Sequence, residues 1–297
     1  MLKKFIIGMS CFALMASITA CGNKDSTINN SSMISSTESV ESTTDNEDIS
    51  ISEQGNNEII HNMLTNLQNA SSVEATLEVK VNIELLIDEE SYNIPITISG
   101  TNTKSGNVTY ANITSIEDLS ELGQKISTTI QEQYSLKNDD IYTLYSKYIY
   151  DEKDYDTGWV ISESTEDTSI VESINAFEGV ADKALIENID DGYKITINIE
   201  DLNSDEASDL TMGIGVGGDF VIYVNKDYYP TKIAIENFDM SNVAENWFTD
   251  ENTDVDGFNM SFDFNIIFDK WNSVDTITIP DEVLSNAAEY QVNVSTE

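Results

Sequence analysis

Arginine is absent from this 297-residue chain; there are three prolines, two cysteines and one histidine. Each shortage closes off some chemistry. Without guanidinium groups, bidentate capture of phosphate is unavailable. The 14 basic residues, all lysine, face 54 acids for a net charge of −40. Such a surface repels nucleic acid and anionic lipid headgroups, which excludes a DNA or RNA partner. One histidine, His61, and no cysteine cluster leave no zinc ligand set. No GxSxG motif occurs, and no nucleophile stands beside a base, so no catalytic residue, cofactor or enzymatic activity is expected. Carboxylate pairs are numerous, but among 54 acids they arise by chance and neither support nor exclude glycoside chemistry. Long apolar runs are also missing. The longest, Phe5 to Ser17, is too short to span a bilayer comfortably.

That run follows Met1-Leu2-Lys3-Lys4, so charge and then apolar residues come in the order of a secretory leader. Ile18-Thr19-Ala20-Cys21 comes next and resembles the bacterial lipobox. The resemblance implies cleavage before Cys21, a diacylglyceryl group on its thiol and an acyl group such as palmitate on the new N-terminus. Cys11 leaves with the leader, so Cys21 has no disulfide partner in the mature chain. Several acyl chains, at ~0.8 kcal/mol per buried methylene, make a firm membrane anchor. Removing Lys3 and Lys4 with the leader leaves twelve lysines against 54 acids, a net charge of −42. The expected location is the extracytoplasmic face of a bacterial cell membrane; the Ile-, Asn-, Lys- and Glu-rich composition suggests an AT-rich, Gram-positive source.

Residues 1–20 are thus read as a signal peptide and 21–56 as the lipidated cysteine with an acidic, Ser/Thr-rich tether. The tether has no aromatic residue and no proline, and cannot bury enough surface to offset its chain entropy. At roughly 5–6 Å × √n it would hold the folded part some 30–35 Å from the bilayer. Residues 57–297 form one domain, large enough for a substantial core.

Within the domain, Ile60, Met63, Leu64 and Leu67 recur at helical spacing, with Asn56 or Asn57 as the start and 69–72 as the stop. From Val73 to Ile87 the chain alternates almost perfectly. Val73, Ala75, Leu77, Val79, Val81, Ile83, Leu85 and Ile87 share one face; Glu74, Thr76, Glu78, Lys80, Asn82 and Glu84 share the other. This is a long, half-buried antiparallel strand. Ile94, Ile96 and Ile98 continue the pattern after a turn at 88–91, and Pro95 favours an edge position or a bulge there. Further strands are read at 107–114, 140–150, 157–162, 192–200, 219–225, 231–238 and 258–268. The segment 116–133 fits both a strand and a helix, through Leu119, Leu122, Ile126 and Ile130. Ile170, Val171, Ile174 and Phe177 suggest a second helix over 168–179 with Gly179 as its stop. A short helix is expected at 203–210 and a helical turn near 279–287. The fold class is mainly β (α+β): a large curved antiparallel sheet, an open half-barrel, with a few helices over its apolar face.

Three local patterns suggest chemistry. Gly213, Gly215 and Gly218 have GxGxxG spacing, but a helix precedes and a strand follows, the reverse of a nucleotide loop, so a flexible lip is expected. Asn252, Asp254, Asp256 and Gly257 mimic the start of a calcium loop, with Asp263 near the closing position. The closing residue should be Glu and the following segment reads as strand, so an acidic hairpin loop is expected and no metal is assigned. Tyr134, Tyr142, Tyr145, Tyr148, Tyr150, Tyr155 and Trp159 form an aromatic run that suits sheet packing, sugar stacking or a lipid cleft.

The order of a tether, the helix at 58–72, the strand at 73–85, "IYTLYSKYIY", "GW" at Gly158-Trp159, "NKDYYPTKIAIE" and "ITIPDEV" resembles the LolA/LppX-like superfamily of extracytoplasmic lipoproteins, including Gram-positive members. The pattern covers most of 57–290. The resemblance implies an open half-barrel with helices on its concave side and a hydrophobic or acylated ligand between sheet and helices. The long tether and the lack of arginine depart from the family, so no ligand-binding residue is carried over. The expected partners are the membrane, through the anchor, and a hydrophobic small molecule, with the protein a monomer. The alternative is a surface lipoprotein without an internal ligand that binds a protein partner or polysaccharide.

Overall fold

The computed structural model describes residues 53–87, 89–151, 155–165, 176–210, 217–239 and 257–289. Among these, twelve strands stand side by side in the order β13-β7-β5-β4-β3-β2-β1-β12-β11-β10-β9-β8, and short β6 (Tyr155–Asp156) pairs with β5 off this path. The order does not return on itself, so the sheet is open. Every pairing is antiparallel except β13 with β7. The fold class expected from the alternation is the one observed.

Helix α1 (Glu53–Asn69) leads into β1 (Ser72–Ile87), β2 (Glu90–Ser105) and β3 (Val108–Glu117). A 3-10 turn at Ser120–Leu122 precedes β4 (Ser127–Asn138), β5 (Ile141–Tyr150), β6 and β7 (Val160–Ser164). A 3-10 helix (Ala176–Lys183), β8 (Leu185–Ile189) and β9 (Gly192–Asn198) follow. Next come a 3-10 turn at Ile199–Asp201, α2 (Ser204–Leu210), β10 (Gly217–Asn225) and β11 (Pro230–Asp239). The chain closes with β12 (Gly257–Trp271), α3 (Asp281–Asn286) and β13 (Ala288–Glu289).

The register explains why one face of β1 is apolar. Ala75, Leu77, Val79, Val81 and Ile83 lie opposite Phe268, Ile266, Phe264, Phe262 and Met260 of β12. Ile83, Val81 and Val79 meet Ile94, Ile96 and Ile98 of β2 on the other side. All of these are buried, and Ile59, Ile60, Met63 and Leu67 of α1 belong to the same core. Phe177 and Val180 of the 3-10 helix, Leu119 and Leu210 complete it. We call this the inner face. Asn272 fastens the α1–β1 junction: its Oδ1 accepts from Ser71 N at 2.7 Å, and its Nδ2 donates to Tyr229 OH at 2.9 Å. Asn66 Nδ2 donates to Asp227 O at 2.8 Å, tying α1 to the β10–β11 turn.

Four expectations change. The helix starts at Glu53 rather than at an Asn56 or Asn57 cap, because apolar periodicity marks only the turns that reach the core. The ambiguous 116–133 segment is a 3-10 turn followed by strand β4; Leu119 is buried but Ile126 is exposed, so the helical spacing was not one face. Pro95 sits in an interior strand. Its carbonyl accepts from Asp118 N at 3.0 Å, so the side that lacks an N–H points past the end of β3, where no ladder bond is lost. Of the second expected helix, 166–175 lie outside the described residues, and 176–183 form a 3-10 helix that runs through Gly179 instead of stopping there.

Candidate functional site

Antiparallel pairing places one residue per strand in rows across the sheet, so the inner face can be followed strand by strand. One row runs Ile186, Ile195, Ile222, Ile233, Ile266, Leu77, Gly100, Ile113, Gln131 and Tyr148. It is aliphatic from β8 through β12 to β1 and turns polar at β4. The neighbouring row reads Phe268, Ala75, Asn102, Ala111, Gln133 and Ser146, and changes at β2. The next reads Lys104, Thr109, Ser135 and Leu144.

Polar side chains on a sheet normally face water. Here Asn102, Thr109, Gln131, Gln133 and Ser135 are all less than 8% exposed, and Glu117 is buried at the other end of the same face. Gln131 Nε2 donates to Gln133 Oε1 at 3.3 Å, and Ser146 Oγ donates to the same oxygen at 3.2 Å. Asn102 Oδ1 is buried with no hydrogen-bond partner among the described residues. A buried polar atom without a partner costs about 1–3 kcal/mol, so it calls for an explanation.

On the outer face the arrangement is reversed. Under β1 and its neighbours this face carries Glu74, Lys80 and Glu84, with Lys270 Nζ 2.6 Å from Glu74 Oε1. Over β3 to β7 it becomes a second apolar core of Val108, Tyr134, Leu136, Tyr145, Trp159 and Ile161. Ile277, Ile279, Val283 and Ala287 of the C-terminal segment cover that core. The apolar side of the sheet therefore changes from inner to outer between β2 and β4. Burial raises the Tyr134 hydroxyl pKa, helped by Tyr110, whose ring centroid lies 4.7 Å away.

The residues singled out in the sequence fare differently. Cys21, Gly213, Gly215, Asn252, Asp254 and Asp256 lie outside the described residues. Gly218 is not part of a lip. It sits in β10 with φ +113°, and a Cβ there would lie 2.7 Å from Glu236 O. Asp263 is on the outer face of β12 across from Lys80, bonded to Asn265 Nδ2 at 2.6 Å. No group of three acids, histidines or cysteines that could hold a metal occurs among the described residues. His61 is exposed on α1. A shallow outer depression of about 270 Å³ borders Lys80, Asn82, Pro95 and Asp263, on the side of the sheet away from the core.

The aromatic run splits between the two faces. Tyr134, Tyr145 and Trp159 serve the outer core. Tyr142, Tyr148, Tyr150 and Tyr155 lie on the inner face beside the buried amides. Tyr148 stacks on Tyr150 at 6.4 Å and Tyr150 on Tyr155 at 6.1 Å, with Tyr155 54% exposed at the rim. Asn102, Gln131 and Gln133 escaped sequence reasoning. The signal was the uncharged polar series Thr129, Gln131, Gln133, Ser135 at every second position of β4.

Fold and faces together define an open, mainly antiparallel β-sheet protein whose inner face is part aliphatic and part hydrogen-bonding. No family model and no curated protein matches the chain. No helix among the described residues is long and apolar enough to cross a membrane.

Proposed function

We propose that this protein is a non-enzymatic bacterial lipoprotein, anchored through Cys21 on the extracytoplasmic face of the membrane. It binds or carries a hydrophobic or acylated ligand between the inner sheet face and α1. The observation that supports this reading most is the aliphatic row from Ile186 to Leu77, one residue from each of six neighbouring strands. Six strands at about 4.8 Å spacing are roughly 24 Å wide, and the apolar stretch of β1 adds about 40 Å of length. A 17-residue helix is about 25 Å long and about 10 Å wide, so α1 shares the cover of that area with Phe177, Val180 and Leu210, and a ligand would lie between these covers and the sheet. An acyl chain lying beside the helix would be surrounded by methyl groups and gain ~0.8 kcal/mol per buried methylene. Membership of the LolA/LppX-like superfamily belongs to the same proposal and rests on the sequence resemblance over most of 57–290.

The test is to express the chain with Cys21→Ser in its native host, collect it from the medium and analyse bound lipid by mass spectrometry. The variant should leave the membrane fraction and carry acyl lipid near one equivalent. A Cys21→Ser protein still held in the membrane overturns the anchor. A lipid-free protein that also fails to take up a fluorescent fatty acid overturns the carrier.

A further inference from the structure

We propose that the inner face of β2–β5 binds the neutral, hydroxyl-bearing headgroup of the carried amphiphile, a glycosyl diacylglycerol being the simplest example. This rests on the carrier reading and specifies its ligand. The acyl chains would lie along the aliphatic rows of β12, β1 and β2, and the headgroup over Asn102, Gln131, Gln133 and Ser146.

Three observations carry the assignment. First, the face changes character within one continuous sheet, so an apolar floor and a hydrogen-bonding floor adjoin. Asn102 is the direct cross-strand partner of buried Ala75. From Asn102 on β2 to Ser146 on β5 is three strand spacings, about 14 Å, the scale of a lipid headgroup.

Second, the polar floor is built but incompletely satisfied. Asn102 is 4% exposed and its Oδ1 has no partner among the described residues. Gln133 Oε1 takes both bonds, from Gln131 and Ser146, while its Nε2 donates to no described residue. Ala111, Ser135 and Ser146, which stand beside the amides in these rows, have small side chains. Each carboxamide offers donors and an acceptor, and each hydroxyl offers both. A ligand hydroxyl, itself donor and acceptor, matches this set. A phosphate, which only accepts, does not. An anionic headgroup also meets Glu117 at one end of the face and finds no arginine anywhere in the chain.

Third, Tyr148, Tyr150 and Tyr155 form a stacked aromatic wall along the same face, from beside Gln131 to the exposed rim. Sugar rings present C–H faces that pack on aromatic faces while their hydroxyls bond sideways.

The test uses the full lipidated chain, extracted in a polyoxyethylene detergent that carries no sugar. Displacement of a fluorescent fatty acid is measured with monoglucosyl diacylglycerol, diacylglycerol and phosphatidylglycerol of identical chains, and direct binding is measured with methyl glucoside. The glucosyl lipid should bind at least tenfold more tightly than the other two. Gln133→Leu and Asn102→Leu should abolish that preference and leave diacylglycerol binding unchanged. Ser146→Ala, which removes one oxygen, should reduce the preference about threefold; it keeps the test open if a leucine variant fails to fold. Equal affinity for the three lipids, or a preference untouched by all three substitutions, overturns the headgroup site and leaves the acyl cleft standing. Binding of methyl glucoside with no lipid bound supports the polar site and overturns the cleft. No binding of any probe overturns both.

Discussion

Asn102 on β2 stands directly opposite Ala75 on β1, and across that pair the inner face passes from methyl groups to amides. Ala75 is fully buried and Asn102 is 4% exposed, so the amide lies within the protein although its oxygen has no described partner. An oxygen buried in this way costs about 1–3 kcal/mol. Asn102→Leu removes the unpaired oxygen and adds apolar contact beside Ala75. The variant should therefore unfold at higher urea, with a gain of about 1 kcal/mol at unchanged m-value. A loss of that size would mean that the oxygen is already satisfied. A stabilised variant that no longer distinguishes headgroups would fit a residue kept for binding at the expense of stability.

Strands β2 and β3 lie close together at Gly100. It lies between Leu77 and Ile113 in the row that continues to Gln131 and Tyr148. A Cβ added there would run into the Asn112 carbonyl oxygen and lie 2.8 Å from Ile113 Cα. Both obstacles are main chain, which cannot rotate away as a side-chain tip can. Gly100→Ala must therefore push β2 from β3 and open the seam between the apolar and polar halves. The expected loss is about 2 kcal/mol or more. Faster amide exchange along the β2–β3 ladder than along β1–β12 would locate the damage. A Gly100→Ala protein with the wild-type unfolding midpoint would show that the strands separate there without cost.

How far the sequence could be read follows from what a period of two contains. Alternation in 73–87 identified the inner residues of β1, because Glu, Thr, Lys and Asn occupy the other positions from 74 to 84 and only one face could be buried. In β4 the same rule sorts Ile130, Tyr134 and Leu136 from Thr129, Gln131, Gln133 and Ser135, but cannot say which set shares a side with Leu77. That depends on pairing through β2 and β3, a long-range property. The natural assumption, one apolar side throughout, gives the wrong answer beyond β2. The cover over the second core was also hidden. The segment 274–287 carries Ile277, Ile279 and Val283, too few and too irregularly spaced to announce a packed face, yet Val283 is 1% exposed. Pro95 misled for the same reason: its tolerance depends on where a neighbouring strand ends, which local residues do not encode.

On the outer face, Glu236 of β11 holds two partners from different strands. Its Oε1 accepts from Tyr223 OH at 2.6 Å, and its Oε2 lies 2.9 Å from Lys194 Nζ. Burial alone would raise the carboxyl pKa, but the hydrogen bonds from Tyr223 and Lys194, with the lysine charges, outweigh it and hold Glu236 below the usual carboxylate range. The bond to Glu236 is the main cause that raises both Lys194 and Tyr223. The signs then fix the pH dependence. The Glu236 contribution is present above its unfolded pKa and is lost as pH falls through the lowered folded value. The contributions of Lys194 and Tyr223 are complete below their unfolded values and are lost as pH rises through the raised folded ones. The cluster should stabilise the sheet uniformly from roughly pH 6 to 8 and fade at both extremes. The Lys194 and Glu236 side chains are 24% and 32% exposed, so solvent screening limits their pair to about 1 kcal/mol. Glu236→Gln keeps the shape and removes the charge. The difference in unfolding free energy between wild type and variant should be constant across neutral pH and shrink towards about pH 3. A difference that stays the same in acid would show that Glu236 acts through packing and neutral hydrogen bonds, not through its charge.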